Sequence, residues 1–314
     1  MTGHILALSG GVGGAKLAAG LAAVLPPERL TIAVNTGDDF EHLGLTVCPD
    51  IDSVVYAMAG LNDRSRGWGV AGETWQAMAA LKALGEADWF NLGDRDLAMH
   101  IARSWRLRAG DSLSDVTARL TQALGLSHAV VPMSDDPVRT QVQTAAGWCD
   151  FQQWFVGDQC GPAVSAVRFA GTPGAAPSPG LATALARPDL SAIVICPSNP
   201  FLSVDPILAV DGVLAALAQR TVPCIAVSPL IGGKALKGPL SKMLGELGIA
   251  PSNRSIAAHY GALIDHLVID RSDADDEADL QASGLAVTVT TTLMKSADDQ
   301  AQLARDVLAA VGVE

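Results

Sequence analysis

Short apolar runs alternate with helical stretches at both ends of the chain, and a more polar region lies between them. Residues 4–8 form a nearly continuous apolar run. Ser9-Gly10-Gly11-Val12-Gly13-Gly14 follows, then an Ala- and Leu-rich stretch that predicts a helix to about Leu25, stopped by Pro26-Pro27. Residues 30–35 read as a second strand. The same grammar returns late in the chain: strands over 192–196 and 224–227, a helix over 210–219, strands over 267–270 and 285–290, and a closing helix over 297–311. Strand, turn, helix and strand in this order predict an α/β fold: a doubly wound, mostly parallel, Rossmann-like sheet with right-handed crossovers.

The middle has a different period. Residues 60–125 are patterned as helices, with candidates over 73–84, 94–107 and 112–124, and Ser112-x-x-Asp115 resembles a capping box. Residues 129–132 form a short strand, 138–156 and 164–169 read as strands of an insertion, and the Pro-, Gly- and Ala-rich stretch 172–179 as a loop back to the core. The expected organisation is a core of residues 1–59 and 183–314, with a helical, then α+β, insertion over 60–182; the whole can equally be counted as one domain. The acidic run 273–279 reads as a solvated loop, since like charges repel.

The chain has 314 residues, 49% hydrophobic, and a net charge of 21 − 33 = −12. Such a chain has no bulk attraction for nucleic acid or an anionic membrane, so any phosphate it binds is small and locally held. No apolar run reaches the ~18 residues of a membrane span. The five cysteines are odd in number, lack a C-x-x-C pair and sit among apolar residues, as free thiols of a reducing compartment do. The N-terminus has no basic leader region. A cytoplasmic location is expected.

Against this background the glycine turn carries chemistry. A P-loop would need Gly at 15 and Ser or Thr at 17, where Ala15 and Leu17 stand, and a dinucleotide fingerprint from Gly11 would need Gly or Ala at 16, where Lys16 stands. Four glycines in five positions still exceed what a plain turn requires, because each loses about 0.5–1 kcal/mol relative to Ala. Lys16 is placed either to neutralise a phosphate or to face solvent. Asp38 and Asp39 follow the second strand, at the edge where open α/β sheets bind ligands. Asp50, after Pro49, would ordinarily cap a helix; with Asp38 it forms a candidate magnesium pair.

Other motifs are less specific. Asp94, in Gly93-Asp94-Arg95-Asp96, reads as a helix cap beside an anion-binding Arg95, and Ser134-Asp135-Asp136-Pro137 reads as a turn. Prolines on both sides of Ser198-Asn199 make a stiff frame, suited to a base or ribose edge or simply to a rigid turn. Ile231-Gly232-Gly233-Lys234-Ala235-Leu236-Lys237-Gly238 reads as a second phosphate loop or a flap. Trp68, in Arg66-Gly67-Trp68-Gly69, is the tryptophan placed to face a flat ligand. The six histidines show no metal spacing.

Taken in order, these motifs resemble the 2-phospho-lactate transferase family of coenzyme F-420 biosynthesis (the CofD/FbiA type). The resemblance runs nearly end to end, through the glycine turn, Asn35-Thr36-Gly37-Asp38-Asp39, Cys48-Pro49-Asp50-Ile51-Asp52, Arg66-Gly67-Trp68-Gly69, Leu92-Gly93-Asp94-Arg95-Asp96, Pro132-Met133-Ser134-Asp135-Asp136, Phe151-Gln152-x-Trp154, Pro197-Ser198-Asn199-Pro200 and Val227-Ser228-Pro229-Leu230-Ile231. It implies a magnesium-dependent transferase, expected as a homodimer. The donor is a guanosine diphosphate ester of a three-carbon acid, the acceptor is the ribityl hydroxyl of the deazaflavin FO, and GMP leaves. The resemblance puts the metal and catalytic roles on Asp38 and Asp50. Nucleotide contacts fall on Gly10, Gly11, Val12, Gly13, Gly14, Ser198, Asn199 and Pro200, with Lys16 beside them. Asn91, where some relatives carry a basic residue, is implied at the deazaflavin; Asp50, Trp68 and Asp94 are expected with it, in a cleft between sheet edge and insertion. Two other readings are a nucleotide-binding regulator of the same fold without transfer activity and an NAD(P) dehydrogenase, the latter disfavoured by Lys16.

Overall fold

Seven strands of the protein form one parallel sheet in a computed structural model that describes residues 3–236 and 238–313. In chain order they are β1 (His4–Ser9), β2 (Leu30–Val34), β3 (Ala129–Pro132), β4 (Leu190–Ile195), β5 (Cys224–Val227), β6 (His266–Asp270) and β7 (Ala286–Thr290). Side by side they run β7-β6-β5-β4-β1-β2-β3, every neighbouring pair parallel. This is the order of a doubly wound sheet, the fold class predicted from the alternation, with a seventh strand added. The order in which successive strands are added reverses between β1 and β4: β2 and β3 extend the sheet to one side, β4 to β7 to the other. The crevice beyond the carboxyl ends of β1 and β4 is therefore the ligand position of the fold.

Successive side chains of a strand point to opposite faces. Ile5 and Ala7 enter one core while Leu6 and Leu8 enter the other. Both faces are covered, so the central strands are apolar throughout, as parallel strands are. Helices α1 (Gly11–Val24), α2 (Pro49–Met58) and α4 (Ala297–Ala310) supply Leu17, Ile51, Val54 and Leu303 to the first core. Among the described residues no helix is long and apolar enough to cross a membrane.

The middle region holds Gln76–Ala83, α3 (Asp94–Arg108) and Leu113–Ala123, close to the three predicted helices. Two expectations there change. The strand at Ala129–Pro132, inside the stretch 60–182, returns to the central sheet as its β3 edge, pairing with β2; four short-strand residues, two of them buried, read alike in a small sheet and a large one. The extended stretch expected over 138–156 is a hairpin, Arg139–Thr144 with Gly147–Asp150, followed by a helical turn at Gln153–Gly157. That turn buries Trp154 among Val142, Phe151, Leu202 and Met243, so burial of the indole overrides strand propensity.

The acidic run 273–279 is also not a loop, although Asp275 and Asp279 are exposed to solvent as expected. It is helical, in Arg271–Asp276 and Glu277–Ala282, because its carboxylates have partners. Asp273 accepts the N–H groups of Gly232 and Gly233 at 2.9 and 2.8 Å, and Asp276 accepts from Asn253. Those two glycine donors are thereby taken, which removes the phosphate-loop reading of that turn. Lys237 lies outside the described residues.

Helix α1 passes very close to the loop after β4. A Cβ on Gly13 would land on the carbonyl oxygen of Pro197, and only glycine permits this approach. Gly13→Ala should therefore destabilise the fold by about 1–3 kcal/mol, as overpacking does. Urea unfolding checks this, and an unchanged midpoint would mean that the loop moves aside freely.

Candidate active site

Three chain segments meet beyond the carboxyl ends of β1, β2 and β4. From β1 the chain passes through Gly10, extended, into α1, and Gly11 adopts φ +63, a left-handed conformation that suits glycine. Ser198, on the β4 loop, donates to the Gly10 carbonyl at 2.8 Å and accepts the Gly10 N–H at 3.2 Å. The Gly11 N–H donates to Asp50 Oδ1 at 2.7 Å. The donors of Gly10 and Gly11 are thus held by side chains, and the first-turn N–H groups without a helical acceptor are those of Val12 and Gly13. Lys16 donates to the Met294 carbonyl at 2.9 Å, joining α1 to the loop after β7.

Asp38 and Asp50, from different segments, meet at one buried amide. Asn35 Nδ2 lies 3.3 Å from Asp38 Oδ1 and 2.9 Å from Asp50 Oδ2. Burial, then the charge of Asp50, raises the Asp38 carboxyl well above the usual range, against the bond from Asn35. Burial likewise pushes Asp50 up to about 6, against its bonds from Asn35 and Gly11. Among the described residues, the hydrogen bonds to the two carboxylates come from the Asn35 amide and the Gly11 N–H, not from a lysine or arginine. Two buried acids held by neutral donors suit a divalent ion, which would supply positive charge. Adjacent Asp39 lies beside Cys48 and in the field of Arg139; burial pushes its carboxyl up to about 7.

A second acidic cluster, Asp52, Asp96 and His100, is close-set enough to ligate a metal. Its carboxylates already have partners in the chain. Arg103, buried, pairs with both oxygens of Asp52, while Tyr56 donates to Asp96 Oδ1 at 2.6 Å. This network clamps α2, which carries Asp50, to α3 of the inserted region.

The remaining expected residues divide. Asn199 Oδ1 accepts from Phe201 and Leu202, capping the helical turn that Pro200 begins; its buried Nδ2 has no protein acceptor. Trp68 is 46% exposed, meets Trp75 edge-on, and lines a cleft with Val12, Lys16 and Tyr56. Asp94 does not cap its own helix: it accepts from Thr74 Oγ1 and from the N–H groups of Gln76 and Ala77, while Glu73 returns the favour to Arg95 and Asp96. Asp135 and Asp136 receive Ser114 and Ala176 and hold loops. Asn91 is exposed and follows an aromatic group that no motif announced: Phe40 packs on Phe90 and Trp89 at 4.8 and 5.6 Å. Its one sequence signal is that Phe40 directly follows Asp38-Asp39.

A family model for 2-phospho-L-lactate transferase CofD matches residues 5–306. The chain belongs to this family. Similar proteins include a phosphoenolpyruvate transferase of Kitasatospora aureofaciens, 39% identical over 98% of this chain and 97% of that one, and a 2-phospho-L-lactate transferase of Methanosarcina mazei, 37% identical over 98% and 100%. The solved structure of protein BH3568 from Bacillus halodurans shares the fold, with TM-score 0.63 and 17% identity over 98% of this chain and 99% of that one. In this CofD family member the acids, glycine turn and β4 loop converge on the sheet's switch point.

The raised carboxyls make a pH prediction. The folded pair keeps protons that an unfolded chain releases near pH 4, so metal-free stability falls as pH rises from about 4 through about 6. Asp50→Asn removes the part of this loss that Asp50 contributes and lessens that of Asp38. In chelator the variant should melt above the wild type at about pH 7.5, and no higher than it at about pH 4.5. Scanning fluorimetry at both values tests this; an equal offset at both would mean that Asp50 is not destabilised by its surroundings.

Proposed function

We propose that this protein transfers a phosphorylated three-carbon acid from its guanosine diphosphate ester to the ribityl hydroxyl of the deazaflavin FO, releasing GMP, in coenzyme F-420 biosynthesis. The observation that carries the reading is the buried Asp38–Asp50 pair at the switch point, in a chain that matches the CofD family model over residues 5–306. The names of its relatives, phosphoenolpyruvate transferase and 2-phospho-L-lactate transferase, supply the chemistry proposed here.

Each group has a task. The N–H groups of Val12 and Gly13, at the positive end of α1, face the diphosphate of the donor. Asn199 Nδ2, buried and without a protein acceptor, is placed to donate to the nucleotide. Asp38 and Asp50 would hold magnesium, which when bound neutralises phosphate charge and lets a polyanion enter an acidic site. Trp68 and the Phe40–Trp89–Phe90 group offer apolar walls to the flat deazaflavin. The FO hydroxyl oxygen bonds to the phosphorus bearing the acid; the bond from that phosphorus to the bridging oxygen breaks, and GMP departs with that oxygen. The hydroxyl proton passes to water. Such transfer is chiefly positioning and charge neutralisation.

Turnover with FO and the esters of phospholactate, phosphoenolpyruvate and phosphoglycerate, products resolved by mass, tests the reading and selects the acid. Asp38→Asn and Asp50→Asn should each lower kcat by at least about a hundredfold while staying folded. GDP binding without turnover of any donor would favour a regulatory protein instead. Trp68→Ala should raise KM for FO and leave that for the donor nearly unchanged. Equal changes in both would remove Trp68 from the deazaflavin.

A further inference from the structure

We propose that Asn35 is a positioning residue for the acidic pair: its amide sets Asp38 and Asp50 as one couple and leaves the second oxygen of Asp38 open toward the ion. The inference rests on reading those two aspartates as metal ligands.

Asn35 is fully buried and sits at the end of β2. Its Oδ1 accepts the Gly37 N–H at 2.8 Å, which fixes the sense of the amide; reversed, its oxygen would face two carboxylates. The Nδ2 thus points at Asp38 Oδ1, Asp50 Oδ2 and the Leu202 carbonyl at 3.3, 2.9 and 3.2 Å. One side chain therefore joins the β2 turn, the start of α2 and the helical turn at Pro200–Val204. Both oxygens of Asp50 have donors, Gly11 and Asn35, whereas among the described residues no hydrogen bond reaches Asp38 Oδ2. A neutral donor suits this place. A lysine or arginine would neutralise the pair and compete with the ion, but an amide orients both acids and leaves their charge intact.

Manganese alone, titrated by electron paramagnetic resonance without nucleotide, tests the idea. Asn35→Ala should weaken the ion by about 10–100-fold, as loss of an orienting partner does. Its kcat deficit should shrink as magnesium is raised, which a general loss of fold would not produce. Unchanged manganese affinity in folded Asn35→Ala, with binding intact in the wild type, overturns the role of Asn35 alone. No manganese binding by the wild type overturns the metal-pair reading along with it. Asn35→Asp covers the case in which the alanine variant does not fold, because it keeps size and the Gly37 bond. With a third acid facing the pair, manganese should raise its melting temperature more than it raises that of the wild type; equal shifts overturn the proposal.

Discussion

Two carboxylates buried side by side among neutral donors are the constraint on which the carboxyl edge of this sheet depends. Removing a charge from water is unfavourable unless a partner restores it. Here the partners are an asparagine amide and a backbone N–H, which orient Asp38 and Asp50 but leave their charge uncompensated. The rise of both carboxyls above their ordinary range expresses that deficit. The fold tolerates it because stability comes from elsewhere: a parallel sheet with two apolar faces and helices closely packed on each.

Two cations on helices that frame the site are engaged with other groups. Arg103 is buried against Asp52, only two positions from Asp50, and Lys16 reaches back to Met294. Each of these contacts also fixes an element that shapes the site. Arg103 and Tyr56 bind α2 to α3, so the helix carrying Asp50 and the region bearing Trp89, Phe90 and Asn91 hold one relative position. The same cations, placed a few residues differently, would close the acidic site instead of framing it.

Much of this was legible in the chain. The alternation of apolar runs with helices predicted the sheet, and Asp38 and Asp50 were readable as a candidate pair because they lie twelve residues apart downstream of the glycine turn. What the glycines do was only half legible. Gly13 is needed where α1 passes the Pro197 carbonyl, a contact between segments nearly the whole of the first two-thirds of the chain apart. The donors of Gly232 and Gly233 answer to Asp273, and Asp94 serves a helix other than its own. The common reason is physical. A carboxylate or a backbone N–H has the same local signature whether its partner is a ligand or a distant part of the protein, and only tertiary structure assigns the partner. The Phe40–Phe90 wall was invisible for the same reason, since its members come from separate elements.

That ambiguity also separates groups built for the protein from groups left for a ligand. Asp94, Asp135, Asp270 and Asp273 are satisfied by donors of the chain itself, and a ligand would have to displace those donors. Near the switch point the polar groups behave differently: Asn199 Nδ2 and Thr36 Oγ1 are buried without partners. Buried polar atoms are nearly always paired in a finished structure. Thr117 Oγ1 and Arg220 Nε are also buried and unpaired, but each lies away from the acids; beside the uncompensated acidic pair, unpaired donors mark a region whose polar groups the chain does not satisfy by itself. A metal with a phosphate ester would supply both what the acids lack and what the donors lack, and neither component alone does so.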